Sequence, residues 1–312
     1  MSAPKLHHYV PRFHLNRFAD SNGKIWTLDK HTGKTFQASA AGIAAEKHFY
    51  ALPEFTGTSV DPLFLEKQFA EIESQACDIT SCWLRQLESA PKVQAEIARN
   101  CDAPAFSQQK TALEKAPKVE IADINRNIMS SFIALQFFRT ADAREILKLF
   151  AETAGIYENG VSAEEARSLQ AQLLCELADG KGIVADFSRR IEQAIWIFAR
   201  NESATPFLTS DTPILLKTGD NRMWLKGTGI FQPGIYAVFS ITPTIVLYCK
   251  ERTHWKKLEP FDNCLSPVMF TPEMVDHENS GHAGMSRRFI FSTNNDFEFT
   301  KSFFNDDRNF AF

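Results

Sequence analysis

The sequence predicts an α+β protein, with a central block of long helices packed on a sheet that N-terminal and C-terminal strands form together. Three observations carry this. KIWTLDKHTGKTFQA, residues 24–38, alternates around an HTGK turn, as a hairpin does. Between about residues 61 and 201, apolar residues recur at steps of three and four, the helical period. After residue 205 the runs TPFLTSDTPILL, YAVFSITPTIVLYCK and RRFIFST are short, β-branched or aromatic, and punctuated by Pro and Gly, which restores strands.

Taken in order, a short strand is expected near HFYAL after the hairpin. Asp61 followed by Pro62 then reads as an N-cap with proline at the first helical position. Leu65, Phe69, Ile72, Ala76, Ile79, Trp83 and Leu87 form one stripe, so a long amphipathic helix follows. Residues 91–118, with prolines at 91, 104 and 117, read as an excursion or linker within a single domain spanning 1–312. A second long helix starts near residue 119, with Ile121, Ile124, Ile128, Phe132 and Leu135 on one stripe and a bend near Thr140. Further helices are expected over about 162–178, 186–201 and 272–285.

The chain has 312 residues, 44% of them hydrophobic, which is ample for a buried core. Its formal charge of −4 gives no global field toward nucleic acid or an anionic membrane. Residues 1–34 nevertheless carry six Lys/Arg against two Asp, so an anion-binding face is expected to include the N-terminus. No stretch approaches the roughly 18 apolar residues of a membrane span, and MSAPKLHHYV has no leader-like apolar region, so the expectation is a cytoplasmic protein. The six cysteines are scattered without a C-x-x-C pair, which suits buried thiols. P-loop, Rossmann, GxSxG and HExxH signatures are missing, and with them the usual support for those chemistries.

Four groups of residues carry candidate chemistry. In HHYVPRFHLNRF, residues 7–18, adjacent His7 and His8 point to opposite faces of an extended segment, so at most one of them can face a given pocket as acid, base or ligand while the other faces core or solvent. Equally, Tyr9, Val10, Phe13 and Leu15 read as a plug for a hydrophobic groove. Glu66 and Glu73, two helical turns apart, can hold a divalent cation or shuttle a proton, or can pair with arginines. Gln136 and Arg139 share a helix face with Asn125, Met129 and Phe132, and Arg139 suits either a substrate phosphate or one of those glutamates. In TSDTP, Pro213 forces a bend that is expected to expose Ser210 and Asp211, unless they close a local turn on their own backbone. His277 and His282 are five apart, a poor spacing for sharing a metal.

The opening HHYVPRFHL, together with EKHFY, LQFFRT and TSDTP followed by ITPT, resembles the DUF4238 family, bacterial proteins with an N-terminal HHYVPxFxL signature and no established activity. The resemblance spans most of the chain and implies a DUF4238-like domain, but supplies positions rather than a mechanism. His14 stands where that family more usually has an aromatic residue.

The expectation is a hydrolase of the phosphodiesterase or nuclease type acting on a phosphate-containing substrate, nucleic acid included. His7, His8 and Asp211 would do acid–base work; Arg12, Gln136, Arg139 and Ser210 would hold the substrate; and Glu66, Glu73 and Asp211 would bind Mg²⁺ or Mn²⁺. The rival expectation is a non-catalytic binding or regulatory protein in which these side chains form a structural network. On the enzymatic expectation, Asp211→Ala leaves the fold intact.

Overall fold

A computed structural model describes residues 6–47, 49–50, 64–90, 116–155, 160–177, 180–227, 231–266 and 268–303. The expected Asp61 cap and most of the 91–118 excursion lie outside these residues. The structure is α+β, as the pattern predicts.

The N-terminal strand β1 (Leu6–His8) pairs antiparallel with β4 (Ala45–Lys47), placing His7 opposite Glu46 and His8 opposite Ala45. Pro11 then caps a single-turn-plus helix, α1 (Arg12–Asn16). Tyr9, Val10, Leu15 and Phe18 are all buried, so this segment is part of the core. The hairpin forms as expected from β2 (Lys24–Asp29) and β3 (Lys34–Ser39). Gly33 closes its turn at φ +67, in the left-handed region that a side chain disfavours.

N-terminal and C-terminal strands meet in a four-stranded sheet of order β3-β2-β12-β6, where β6 is Thr209–Ser210 and β12 is Phe289–Ser292. A second, six-stranded sheet comes from the C-terminal half alone, in the order β11-β5-β10-β9-β7-β8. Its strands are β5 (Ile195–Arg200), β7 (Ile214–Lys217), β8 (Trp224–Leu225), β9 (Tyr236–Thr242), β10 (Ile245–Lys250) and β11 (Cys264–Leu265).

The helical block packs on this larger sheet. It comprises α2 (Phe64–Ser89), α3 (Asp123–Phe138), α4 (Ala141–Thr153), α5 (Ala163–Cys175) and α6 (Gly182–Gln193). Six residues of the α2 stripe are buried, Ile72 being only partly covered, and Trp83 meets Trp196 and Phe198 at 5.7 Å each. From α3, Phe132 reaches Phe239 at 6.2 Å. The opposite face of the sheet is covered by α7 (Pro272–Met285), whose Val275 joins Phe207, Leu215 and Val246; a short α8 (Glu298–Ser302) follows.

Three local expectations change. Residues 195–200 are strand β5 rather than the end of a helix, because IWIFAR is buried on both sheet faces and shows no alternation to betray a strand. The expected single helix from 119 to 150 is two, with Thr140 capping α4 by accepting the Ala143 N–H at 3.1 Å. Ile124 lies 65% exposed at the start of α3, so the buried stripe begins later, at Met129. Of the cysteines, Cys249 and Cys264 are buried, Cys77 and Cys175 are half-buried and Cys82 is exposed; these five are free thiols, and Cys101 lies outside the described residues.

Candidate functional site: a histidine, glutamate and arginine cluster

The alternation of β1 sends its two histidines to different environments. His7 is fully buried, and its Nδ1 accepts the Tyr50 backbone N–H at 3.1 Å. A nitrogen that accepts a hydrogen bond carries no proton, so the neutral ring is protonated on Nε2. Glu66 Oε2 lies 3.9 Å from the same Nδ1, and the Tyr50 ring stacks on the imidazole at 6.1 Å. His8 is half-buried, and its Nε2 donates to the Ala41 carbonyl at 3.1 Å, which leaves the Nδ1 lone pair as the basic atom. Burial lowers the His8 pKa, and the Arg12 and Arg139 charges push the same way against the Ala41 bond and Glu73.

From α2, Glu66 and Glu73 approach this strand two turns apart. Arg139, at the C-terminus of α3 and 1% exposed, donates from Nη1 to Glu73 Oε1 at 2.6 Å. Its Nε and Nη2 are both 2.9 Å from Gln136 Oε1, in the amide orientation that satisfies both groups. The guanidinium also lies over the Phe69 ring at 5.3 Å, and the Arg139 carbonyl accepts the Tyr50 hydroxyl at 3.1 Å. Burial opposes the charge on Arg139, but Glu73, Tyr50 and Glu66 outweigh it and raise its pKa. Glu66 is different. Burial, reinforced by Glu73 and opposed by Arg139, raises its carboxyl to about 7. One strand and two helices therefore bring His7, His8, Glu66, Glu73, Gln136 and Arg139 together, with exposed Arg12 close enough to act on His8.

The other half of the expected site is elsewhere. The chain leaves the four-stranded sheet at Ser210 and enters the six-stranded sheet at Ile214, so TSDTP is the corner between them. Contrary to expectation, that bend buries its polar side chains: Ser210 is 0% and Asp211 5% exposed. Asp211 accepts three backbone N–H groups, from Arg287 at 2.9 Å, Arg288 at 2.7 Å and Phe289 at 2.8 Å. Burial raises its pKa while those three bonds pull it down. Ser210 Oγ closes a local turn by accepting the Thr212 N–H at 3.1 Å, and it lies 3.0 Å from His282 Nδ1. Asp211, expected as an acid–base group, and Ser210, expected as a substrate contact, are thus both buried and bonded in a structural corner. Gln136 and Arg139, expected as substrate contacts, are likewise buried, with Arg139 bonded to Gln136 and to Glu73.

The donor set does not fit Mg²⁺ or Mn²⁺ at Glu66, Glu73 and Asp211. Glu73 is neutralised by Arg139, both Asp211 oxygens hold backbone N–H groups, and Asp211 is not among the charges that act on Glu66. Among the described residues, no three His, Cys, Asp or Glu side chains are arranged to hold a metal ion.

Sequence spacing gave no sign of Tyr50, which joins His7 to the end of α3, and it dismissed His282 because only His277 was considered as its partner. His14 packs between Phe18 at 5.3 Å and Phe239 at 5.1 Å, occupying an aromatic slot, while its Nε2 meets Thr209 Oγ1 at 3.0 Å. Burial holds its pKa well below that of an ordinary histidine. No helix among the described residues is long and apolar enough to cross a membrane.

Comparison with known proteins agrees with the signature at β1. The family model described as a protein of unknown function (DUF4238) matches residues 6–296, from β1 past β12. No curated protein and no solved structure matches the chain.

Proposed function

The chain belongs to the DUF4238 family, and because that membership carries a domain without an activity, we propose from the geometry that it is a hydrolase of phosphodiester-type substrates. The observation that carries this is the opposite displacement of two groups that both feel the charges of Arg139 and Glu73. His8 is pushed toward its neutral, basic form, and Glu66 toward its protonated, acidic form. Groups whose environments drive their pKa values apart are suited to paired base and acid roles near neutral pH. His8 Nδ1 would take the proton of an attacking hydroxyl or water, and Glu66 would return one to the leaving oxygen. Exposed Arg12 would contact the phosphate, while Arg139, held by Glu73 and Gln136, contributes a fixed positive field.

The test is hydrolysis of a bis(p-nitrophenyl) phosphate or oligonucleotide substrate by the full chain. His8→Ala is expected to lower kcat by about 10²- to 10⁴-fold, with a melting temperature close to the wild type. The pH profile should rise as His8 loses its proton and fall near pH 7 as Glu66 ionises, and Glu66→Gln should remove the falling limb. Activity that is indifferent to both variants would end this reading.

A second reading, a non-catalytic protein with a structural polar network, is favoured by one observation. Arg139, Gln136 and Glu73 close on each other, so that all three guanidinium nitrogens already donate within the cluster.

A further inference from the structure

A polar concavity lies beside β4, which contributes Glu46 and Lys47 to its lining. It has a volume of about 320 Å³ and is lined by Lys47, Arg144, Lys148, Arg167 and Arg287 against two carboxylates, Glu46 and Glu145. In a chain with a net charge of −4, this local excess of cations is not a reflection of composition.

Its members differ in how they are compensated. Arg287 pairs with Glu145 at 3.5 Å and donates to the Ala141 carbonyl, and Lys148 lies 3.9 Å from Glu152. Arg144 has only neutral partners, donating from Nε to Gln170 Oε1 at 2.8 Å and from Nη2 to the Phe49 carbonyl at 2.9 Å. Its guanidinium lies 3.6 Å over the Phe49 ring. Among the described residues, the side chains of Arg167 and Lys47 make no hydrogen bond or ion pair. Burial pushes the Arg144 pKa down to about 10, against Tyr50 and Glu46 and with Arg167 and Arg287 adding to the effect, yet at neutral pH it is still a cation. Like charges drawn partly out of water are costly until a counter-charge joins them. Guanidinium forks of this kind match the oxygens of a phosphate.

The position matters as much as the charge. Phe49 gives its carbonyl to Arg144, and the next residue, Tyr50, gives its N–H to His7. Glu46, on the pocket rim, stands opposite His7 in the β1–β4 register. We propose that this pocket is an anion subsite that binds phosphate groups of the substrate, with Arg144, Arg167 and Lys47 as its principal contacts. Its role as a subsite rests on the phosphodiester reading above; the binding of phosphate does not. The anion is either a polyphosphate-bearing small molecule or the backbone of a single-stranded nucleic acid.

The experiment titrates the full chain with tripolyphosphate by calorimetry, and with a labelled single-stranded RNA oligonucleotide by fluorescence anisotropy at several salt concentrations. Arg167→Glu and Lys47→Glu are suitable variants because neither side chain holds the fold together. Each is expected to weaken binding at least about tenfold and to lower the salt slope by about one, the signature of a lost phosphate contact. Tripolyphosphate binding without oligonucleotide binding identifies the small-molecule source, and binding of both identifies the nucleic-acid backbone; either supports the site if Arg167→Glu removes it. Wild-type protein that binds neither probe, or Arg167→Glu protein that binds both as the wild type does, overturns it. His8→Ala keeps the two readings apart. Arg167-dependent binding in a wild-type chain that shows no turnover leaves this pocket standing and removes the hydrolase, whereas His8-dependent turnover with binding indifferent to Arg167 does the reverse.

Discussion

The TSDTP corner and the β1 cluster are both built of buried polar side chains, and they differ in where those side chains end. In the corner, Asp211 is held by three backbone N–H groups and Ser210 by its own turn and His282. In the cluster, Glu73 and Arg139 close on each other, but Glu66 keeps 27% of its side chain exposed and His8 keeps a basic nitrogen. A carboxylate bonded to backbone amides fixes the path of the chain; one that stays partly exposed with a displaced pKa is available for chemistry. Residue type alone does not separate the two, because both regions offer an acid beside a histidine.

The largest expected effect removes what the two regions share. The segment from His7 to Phe18 supplies His7 and His8 to the cluster, and it reaches the corner through His14 and Thr209. It also buries Tyr9, Val10, Leu15 and Phe18, each worth roughly 1.5 to 3 kcal/mol when fully covered. Deleting residues 1–18 is therefore expected to abolish cooperative unfolding, measured by thermal denaturation followed by circular dichroism. A truncated chain that melts like the full one would detach both regions from the N-terminus.

Next in size is Asp211→Ala, where the structure reverses the sequence-based expectation of an intact fold. The substitution leaves three buried backbone donors without their acceptor, so a loss of about 3 to 5 kcal/mol is expected in urea unfolding. His8→Ala, by contrast, should cost less than about 1 kcal/mol, since it removes one bond from a half-exposed side chain. Equal losses for the two would erase the contrast between corner and cluster.

The same contrast explains what was legible in the sequence. Periodicity exposes elements with one wet face, and so α2, the hairpin and α7 are readable from local pattern. β5 is not, because a strand covered on both faces carries the same apolar run as a buried helix. In the cluster, His7, His8, Glu66, Glu73 and Arg139 are readable as chemically apt side chains on three elements, and the Glu73–Arg139 pair was one of the options the spacing allowed. Asp211 misled for a physical reason. Whether an aspartate at a strand end faces solvent or caps a distant turn depends on residues 287–289, about eighty positions away, and no local rule contains that contact. The basic pocket is hidden in the same way, assembled from β4, α4, α5 and Arg287, while the most basic local stretch of sequence contributes none of its lining.

The sharpest test of the cluster depends on the sign of one titration. Glu66 has a folded-state pKa of about 7 against an ordinary value of 4.5. Between those pH values the folded chain holds a proton that the unfolded chain has released, so stability falls as pH rises through this window and levels off above it. Glutamine cannot ionise. Glu66→Gln should therefore lack the decline, and its stability relative to the wild type should rise between pH 5 and pH 8 by about 1 to 2 kcal/mol, allowing for the screening of a partly exposed carboxylate. Paired urea titrations at the two pH values measure the difference directly. The neighbouring charges are accounted for: Arg139 and Glu73 are present in both proteins, and the Nδ1 of His7 is engaged by the Tyr50 N–H in both. His8 titrates in the opposite sense, with a lowered pKa that costs stability on the acid side, so it bends both curves alike. Parallel curves for the two proteins would mean that Glu66 ionises as an ordinary surface carboxylate, and the acid of the proposed acid–base pair would be lost with it.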